Sequence, residues 1–323
     1  MRLKLPTHLS RFPAKIDLTH QAFWRGLPVL QSETVQLRPG RPVYKMLQIT
    51  GRDMLILRSK VEPKMASTIV PDPDWMVLVA PVSWLGDYVF NGQVARPFDV
   101  FVSAGPDGYS ATNERRHNLA VGLRKSRLRD ACANLSGRHV EDIALDDQRI
   151  ALGPALGTRF HRRLLETIAA SLEKPLAPGK FALDAVVEND LFSELAGLMM
   201  AETIEENAIS SLNLDPLRVV RRAEGLFEDR GTDPPSISDL CKAANVGATT
   251  LHLCFNDVYG APPISYLHAK RITQARSAIL TEERAPPSVK DVALSLGFTH
   301  SGRFAERYRR FFGEYPSETL GKR

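Results

Sequence analysis

Between Gly297 and Leu320 the chain reads GFTHSGRFAERYRRFFGEYPSETL. Arg303, Arg307 and Arg310 stand at i, i+4 and i+7, so on a helix they share one face. Phe304, Tyr308 and Phe311 form the adjacent stripe, rotated by about 100°. The aromatic stripe is expected to anchor the helix in a core and the arginines to face outward. A guanidinium fork can chelate guanine O6 and N7 in the major groove, or it can hold a phosphate. The N-terminal part of a helix laid in the groove meets base edges. Ser301, Gly302 and Arg303 occupy that part, and Arg303 is expected on a guanine or on a phosphate. Arg307, Arg309 and Arg310 lie later, where phosphate contact or a solvated surface is expected. Gly302 costs a helix about 1 kcal/mol relative to alanine. Close approach to DNA or tight packing would justify it. Glu306 can accept a hydrogen bond from cytosine N4, or pair with Arg303 or Arg310 on its own helix.

Such a helix needs a scaffold, and the sequence repeats one. SISDLCKAANV (236–246) aligns with SVKDVALSLGF (288–298), and FNDVYGAPPISYL (255–267) with YRRFFGEYPSETL (308–320). Asp239 matches Asp291, Gly260 matches Gly313 and Pro263 matches Pro316. Each unit reads as helix, tight turn and second helix, stopped by a glycine and a proline. Ser236 with Asp239, and Ser288 with Asp291, predict N-caps of capping-box type. Helices are expected from near Pro216, at Ser236, after Gly247, near Ile264, at Ser288 and after Thr299. This is a helix-turn-helix, twice. In the first copy Leu251, Cys254 and Phe255 are expected in the core, with Thr249, Thr250 and His252 facing out. The connector 264–280 predicts a helix of roughly 25 Å. Successive major-groove faces lie about 34 Å apart, so such a connector could hold both second helices against one side of a duplex.

This region resembles the AraC/XylS-type transcription regulators. The first unit carries the resemblance in Leu240, Phe255, Gly260 and Pro263, and the connector in Arg271, Ile272 and Ala275. The second unit carries it in Asp291, Val292, Ala293, Gly297, Phe298, Phe304, Tyr308, Gly313 and Pro316. The segment 300–308 with PSETL (316–320) further resembles a subgroup that includes ethanolamine-operon regulators. The resemblance implies that Thr249, His252 and Leu253 face bases, as do Ser301, Gly302 and Arg303. Leu253 stands where an arginine is common, which favours contact with a thymine methyl. Glu306 likewise replaces a frequent arginine. Arg271 matches a characteristic arginine of the family, expected on a phosphate or bracing the two modules. Cys241 takes the place of a small buried residue and is read as packing. The expected partners are double-stranded DNA, RNA polymerase and a small-molecule effector, in a cytoplasmic activator or repressor that forms a homodimer.

Upstream, the residues read as β up to about 153. Candidate strands are 44–50, 53–59, 74–80, 98–104 and 118–124, punctuated by the turns FNGQ (90–93) and GPDG (105–108). Two helices follow: one with Leu156, Phe160, Leu164, Ile168 and Leu172 on a stripe, and one over 183–204. They are expected to dock on the β-domain or to pair with a second subunit. The fold expected from the residues and the resemblance together is an N-terminal mainly-β, jelly-roll-like domain with two trailing helices. It would occupy 1–207, followed by a linker at 208–215 and an all-α double helix-turn-helix domain at 216–323. Trp75, Trp84, Tyr88 and Phe90 are read as core and rim, or as the walls of an effector pocket.

The bulk numbers agree. The last third, from Pro216, holds 16 Lys+Arg against 12 Asp+Glu, so most of the net charge of +5 lies there. No uninterrupted apolar run reaches membrane-span length. Three scattered cysteines fit a reducing compartment and suggest neither a disulfide framework nor a zinc site. His8, His20, His117, His139 and His161 form no metal-ligand cluster, and no GxSxG or P-loop motif is present. The chain is therefore not expected to be an enzyme or to carry a cofactor. A cupin-like enzyme fused to a reader, and a protein-binding adaptor with a degenerate helix-turn-helix, are the alternatives.

Overall fold

The computed structural model describes residues 14–16, 27–173, 181–200, 215–231, 235–280 and 288–321. The first part is a rolled, mainly antiparallel sheet. Its strands are β1 (Ala14–Ile16), β2 (Val29–Gln36), β3 (Val43–Thr50), β4 (Met54–Glu62), β5 (Met65–Pro71), β6 (Trp75–Phe90), β7 (Gln93–Val94), β8 (Asp99–Ser103), β9 (Tyr109–Arg124), β10 (Gln148–Ala151) and β11 (Phe181–Ala182). The sixteen-residue β9 organises it. One edge of β9 pairs with β4 over Arg116–Leu123 and with β5 over Tyr109–Asn113, and its other edge pairs with β6. β2 closes on β5. Asn91 and Gly92, at φ 47° and 81°, make the two-residue turn that returns β6 as β7.

Alternation along the strands buries both faces of this sheet. Ile49, Met54, Ile56, Met76, Leu78, Leu119, Val121 and Leu123 point to one core. Three helices cover it: α1 (Lys125–Ser136), α2 (Pro154–Leu172) and α3 (Ala185–Met200). Both trailing helices thus dock on their own β-domain through Leu164, Leu165, Ile168, Leu191, Phe192 and Leu195. The expected helix end at 204 and most of the break at 173–180 fall outside the described residues. α1 corrects the expectation of β structure up to 153. Leu128 and Cys132, four residues apart, are its buried seam, and Gly137 in the left-handed region ends it. The other sheet face holds Ile69, Val79, Tyr88, Phe90, Phe101 and Tyr109 around an internal cavity.

The second part is all helical: α4 (Pro216–Asp229), α5 (Ile237–Ala244), α6 (Ala248–Tyr259), α7 (Pro263–Leu280), α8 (Val289–Ser295), α9 (Ser301–Phe312) and α10 (Pro316–Leu320). Both predicted capping boxes are present, Ser236 with Asp239 and Ser288 with Asp291. α7 serves two cores. Tyr266, Leu267 and Ala269 enter the one built from α4, α5 and α6. Ile272, Ala275 and Ile279 enter the other, with Val292, Ala293, Phe304, Tyr308 and Phe312. Of the expected linker, Asp215 is described; it caps α4 by accepting from the Leu217 amide at 3.0 Å. The remainder lies outside the described residues. Among those residues no helix is long and apolar enough to cross a membrane.

The mainly-β and all-α parts touch. Val35 and Ala66, from β2 and β5, join the first helical core. The Gln36 amide donates to Thr273 Oγ1 at 3.2 Å and the Gly40 amide to the Phe311 carbonyl at 2.8 Å. Thr112 Oγ1 donates to the Val258 carbonyl at 3.1 Å.

Candidate nucleic-acid interface

In the first unit Asn245, at φ 54° and ψ 47°, turns the chain from α5 toward α6. A short polar side chain tolerates that left-handed conformation better than most. Leu251, Cys254, Phe255, Val258 and Tyr259 then face inward on α6. Thr249, His252 and Leu253 are exposed, and Thr250 is half-buried. Leu253 is 49% exposed, a large apolar side chain left uncovered on the outward face. Cys241 is half-buried beside the first helical core, in a packing position.

In the second unit Gly297 takes φ 77° between α8 and α9. The inward stripe of α9 is Phe304, Tyr308 and Phe312. The expected third member, Phe311, is only half-buried. It lies at the seam of both helical cores, where its carbonyl meets the β-domain. Four-residue steps keep 304, 308 and 312 on one line, whereas 311 falls to its side.

Ser301, Gly302, Arg303, Glu306, Arg307, Arg309 and Arg310 are all exposed on α9. Among the described residues, Arg303, Arg307 and Arg310 have no carboxylate within ion-pair distance, and Glu306 pairs with none of them. Arg309 differs. Its Nη1 donates to Tyr315 Oη at 2.7 Å and its guanidinium lies 4.7 Å from that ring's centroid, so it ties α9 to α10. Gly302 has open space where a Cβ would be, so internal packing does not require a glycine there. Arg271, expected on a phosphate or bracing the two modules, is turned inward. It is 9% exposed, its guanidinium sits 5.0 Å over the Phe227 ring, and Nη2 donates to the Gly231 carbonyl at 3.4 Å. It braces α7 against α4.

Two buried polar networks hold the reading helices in place, and the sequence reading missed both. In the first unit Glu224 accepts from Tyr259 Oη at 2.8 Å, Tyr266 Oη at 2.6 Å and Lys270 Nζ at 3.1 Å. In the second, Arg276 Nη1 donates to Tyr308 Oη at 3.1 Å, Glu314 Oε1 at 2.9 Å and Thr319 Oγ1 at 3.1 Å. In each unit a tyrosine of the inward stripe, Tyr259 or Tyr308, is thereby bonded to a charged network. Among the described residues no group of three or more His, Cys, Asp or Glu side chains is arranged to hold a metal ion.

The whole arrangement is two helix-turn-helix units on one helical connector, each with an exposed outward face on its second helix. A family model described as a helix-turn-helix domain matches residues 240–322. The chain is 27% identical over 204 residues to a probable thc operon regulatory protein of Rhodococcus erythropolis, covering 62% of this chain and 60% of that one. It is 27% identical over 129 residues to the XylDLEGF operon transcriptional activator 2 of Pseudomonas putida, covering 40% of this chain and 82% of the relative. Among solved structures, a probable AraC family transcriptional regulator from Rhodopseudomonas palustris CGA009 is 31% identical. That match covers 32% of this chain and 95% of that one, at a TM-score of 0.28. The chain spans somewhat under two thirds of the Rhodococcus relative's length.

Proposed function

We infer, from the AraC-type helix-turn-helix domain to which residues 240–322 belong, that the protein is a sequence-specific DNA-binding transcription regulator. It reads two successive major grooves, through α6 and through α9. The observation that carries this reading is the exposed face of α9, where Arg303, Arg307 and Arg310 have no ion-pair partner among the described residues, joined by α7 to a second helix with an exposed face. Arg303 reads a base, flanked by Ser301, Gly302 and Glu306. Arg307 and Arg310 hold phosphates, while Arg309 reaches the backbone only if it releases Tyr315. Thr249, His252 and Leu253 form the reading face of α6, with Thr250 at its margin. Residues 1–207 form the sensing and dimerising domain, 208–215 the linker and 216–323 the reader. The proposal includes a small-molecule effector in the β-domain, a cytoplasmic homodimer and contact with RNA polymerase.

Selection of bound genomic fragments by the full chain, followed by sequencing, tests it. The expected result is a site with two short boxes about one helical turn apart. Salt-sensitive binding without sequence enrichment would remove the base-reading role of both helices. On the selected site, Arg303→Ala is expected to weaken binding by about 10- to 100-fold and to relax preference at one base pair, measured by gel shift against single-base variants. A uniform loss across all variants would reassign Arg303 to phosphate.

Gly302→Ala separates folding from reading. An alanine in the open first turn of α9 is expected to raise stability by up to about 1 kcal/mol. The same methyl should lower DNA affinity, because it stands where the backbone approaches the duplex. A variant that is more stable and binds equally well would show that Gly302 has no part in the contact.

A further inference from the structure

We propose that the cavity inside the rolled sheet is a binding site for a small organic monocarboxylate with an apolar body, its carboxylate held by Arg116. The cavity leaves about 80 Å³ for the centres of water-sized spheres, within about 850 Å³ of empty space that includes its open mouth. Its walls are mainly apolar and aromatic, with Leu57, Ile69, Trp75, Val79 and Tyr88 among them. Arg116 is the single charged residue among the described residues that line it.

The state of Arg116 is the unusual feature. It is 6% exposed. Its Nη1 donates to the Ala111 carbonyl at 3.1 Å and to Asn113 Oδ1 at 3.3 Å, and its Nη2 donates to Ser67 Oγ at 2.7 Å. All three acceptors are neutral, and no carboxylate among the described residues pairs with it. Nε has no hydrogen-bond acceptor among the described residues. Buried charges are ordinarily paired, and two others in this chain are: Lys270 with three carboxylates and Arg276 with Glu314. Nε and the remaining Nη2 hydrogen form one side of the guanidinium fork, the edge that grips a carboxylate with two parallel hydrogen bonds. One cation in an otherwise neutral chamber balances one negative charge, which favours a monocarboxylate over a phosphate dianion. Asn118 donates through Nδ2 to Tyr88 Oη at 3.0 Å, while its Oδ1 has no donor. That acceptor suits a hydroxyl or N–H on the ligand.

The site also touches the reading domain. Ser67, which accepts from Arg116, lies 3.3 Å from Thr34 Oγ1, and the neighbouring Glu33 pairs with Lys270 on α7 at 2.6 Å. Arg116, which such a carboxylate recruits, therefore stands two hydrogen bonds from the strand that contacts the connector. This consequence rests on the regulator reading, whereas the binding site itself does not.

The test uses the full chain and three probes: 3-phenylpropanoate, hexanoate and the neutral 3-phenylpropanamide. Binding is read by calorimetry and by the fluorescence of Trp75, which lines the cavity. The carboxylates are expected to bind and the amide to bind far more weakly. Arg116→Gln should lower carboxylate affinity by about 10- to 100-fold and leave the amide unchanged. Ala120→Leu, which keeps the arginine and fills the cavity, should abolish binding of all three probes, and it carries the test if Arg116→Gln does not fold. Equal binding of acid and amide, indifference to Ala120→Leu, or no binding of either carboxylate would overturn the proposal. Gel shifts on the selected DNA site in the same preparations distinguish the two readings. DNA binding without carboxylate binding sinks this inference alone. Carboxylate binding through Arg116 with no sequence selected sinks the regulator reading alone.

Discussion

Lys270→Met is expected to lower the stability of the folded chain by about 3–5 kcal/mol, the usual cost of breaking a buried ion pair from one side. The ammonium is 1% exposed and sits 2.6 Å from Glu33 Oε2, 3.1 Å from Glu224 Oε1 and 2.9 Å from Glu228 Oε1. Burial pulls its pKa down, but the carboxylates of Glu224, Glu33 and Glu228 more than reverse this and hold it above the ordinary lysine range. Glu33 moves the other way from a simple pair. Its own burial, with the repulsion of Glu224 and Glu228, outweighs the attraction of Lys270 and leaves its pKa raised. The cluster is therefore short of positive charge even with the lysine present. A methionine fills much of the same volume and leaves three carboxylates facing one another, one of them already receiving hydrogen bonds from Tyr259 and Tyr266. Urea denaturation of the variant and the parent measures the loss. Adding Glu224→Gln should restore part of it, because the amide needs no counter-charge. A loss below about 1 kcal/mol would mean that the site is solvated like a surface pair. Glu33→Gln should act differently, weakening the seam between β2 and α7 and leaving the helical core intact.

The helical third was legible because its signals are local. Ser236 and Ser288 each find an aspartate three residues on, and Gly260 and Gly313 each stop a helix in the left-handed region; these need no tertiary information. The outward faces were legible for the same reason, since 3.6-residue periodicity fixes which side of α9 carries Arg303 and which carries Phe304. The long-range parts were not. β2, VLQSETVQ, shows no apolar alternation, because half-buried Glu33 and buried Thr34 and Gln36 find their partners far away in sequence: Lys270, Ser67 and Thr273. Arg116 stands in TNERRHN, a run that looks solvated until β9 pairs with β5 and β6 and turns it inward. Arg271 could be read as a phosphate contact or as a brace, and its place over the Phe227 ring is visible only once α7 is packed on α4. One signal was available and missed. Glu224 interrupts the stripe Val220, Ala223, Phe227 on α4, and a carboxylate at the margin of an apolar stripe points to a buried partner. Similarly, Leu128 and Cys132 sit four apart directly after a strand, a spacing that marks α1.

Between pH 7 and pH 5 the mainly-β domain is expected to lose about 4 kcal/mol of stability through two histidines. His117 is 8% exposed and His161 2%. His117 Nε2 accepts from Arg58 Nε at 3.0 Å, which requires the ring to be neutral. Burial, then the Arg58 and Lys60 charges, push its pKa down to about 3. Burial pushes His161 down to about 4. Neither of its ring nitrogens has a hydrogen-bond partner among the described residues, and it packs against Phe98 and Phe160. In the unfolded chain both rings titrate near 6.5, so above that pH neither state gains a proton relative to the other. Below it the unfolded chain binds protons that the folded chain refuses. Each ring then costs roughly 1.4 kcal/mol per pH unit, until about pH 4 for His161 and about pH 3 for His117. Urea midpoints at pH 7 and pH 5, followed by Trp75 fluorescence, measure the slope. His161→Phe should remove about half of it while keeping the aromatic packing, and His117→Gln should remove the remainder while still offering Arg58 an acceptor. A flat profile across this range would mean that both rings reach water, and that the core between the sheet and α2 opens more readily than its packing indicates.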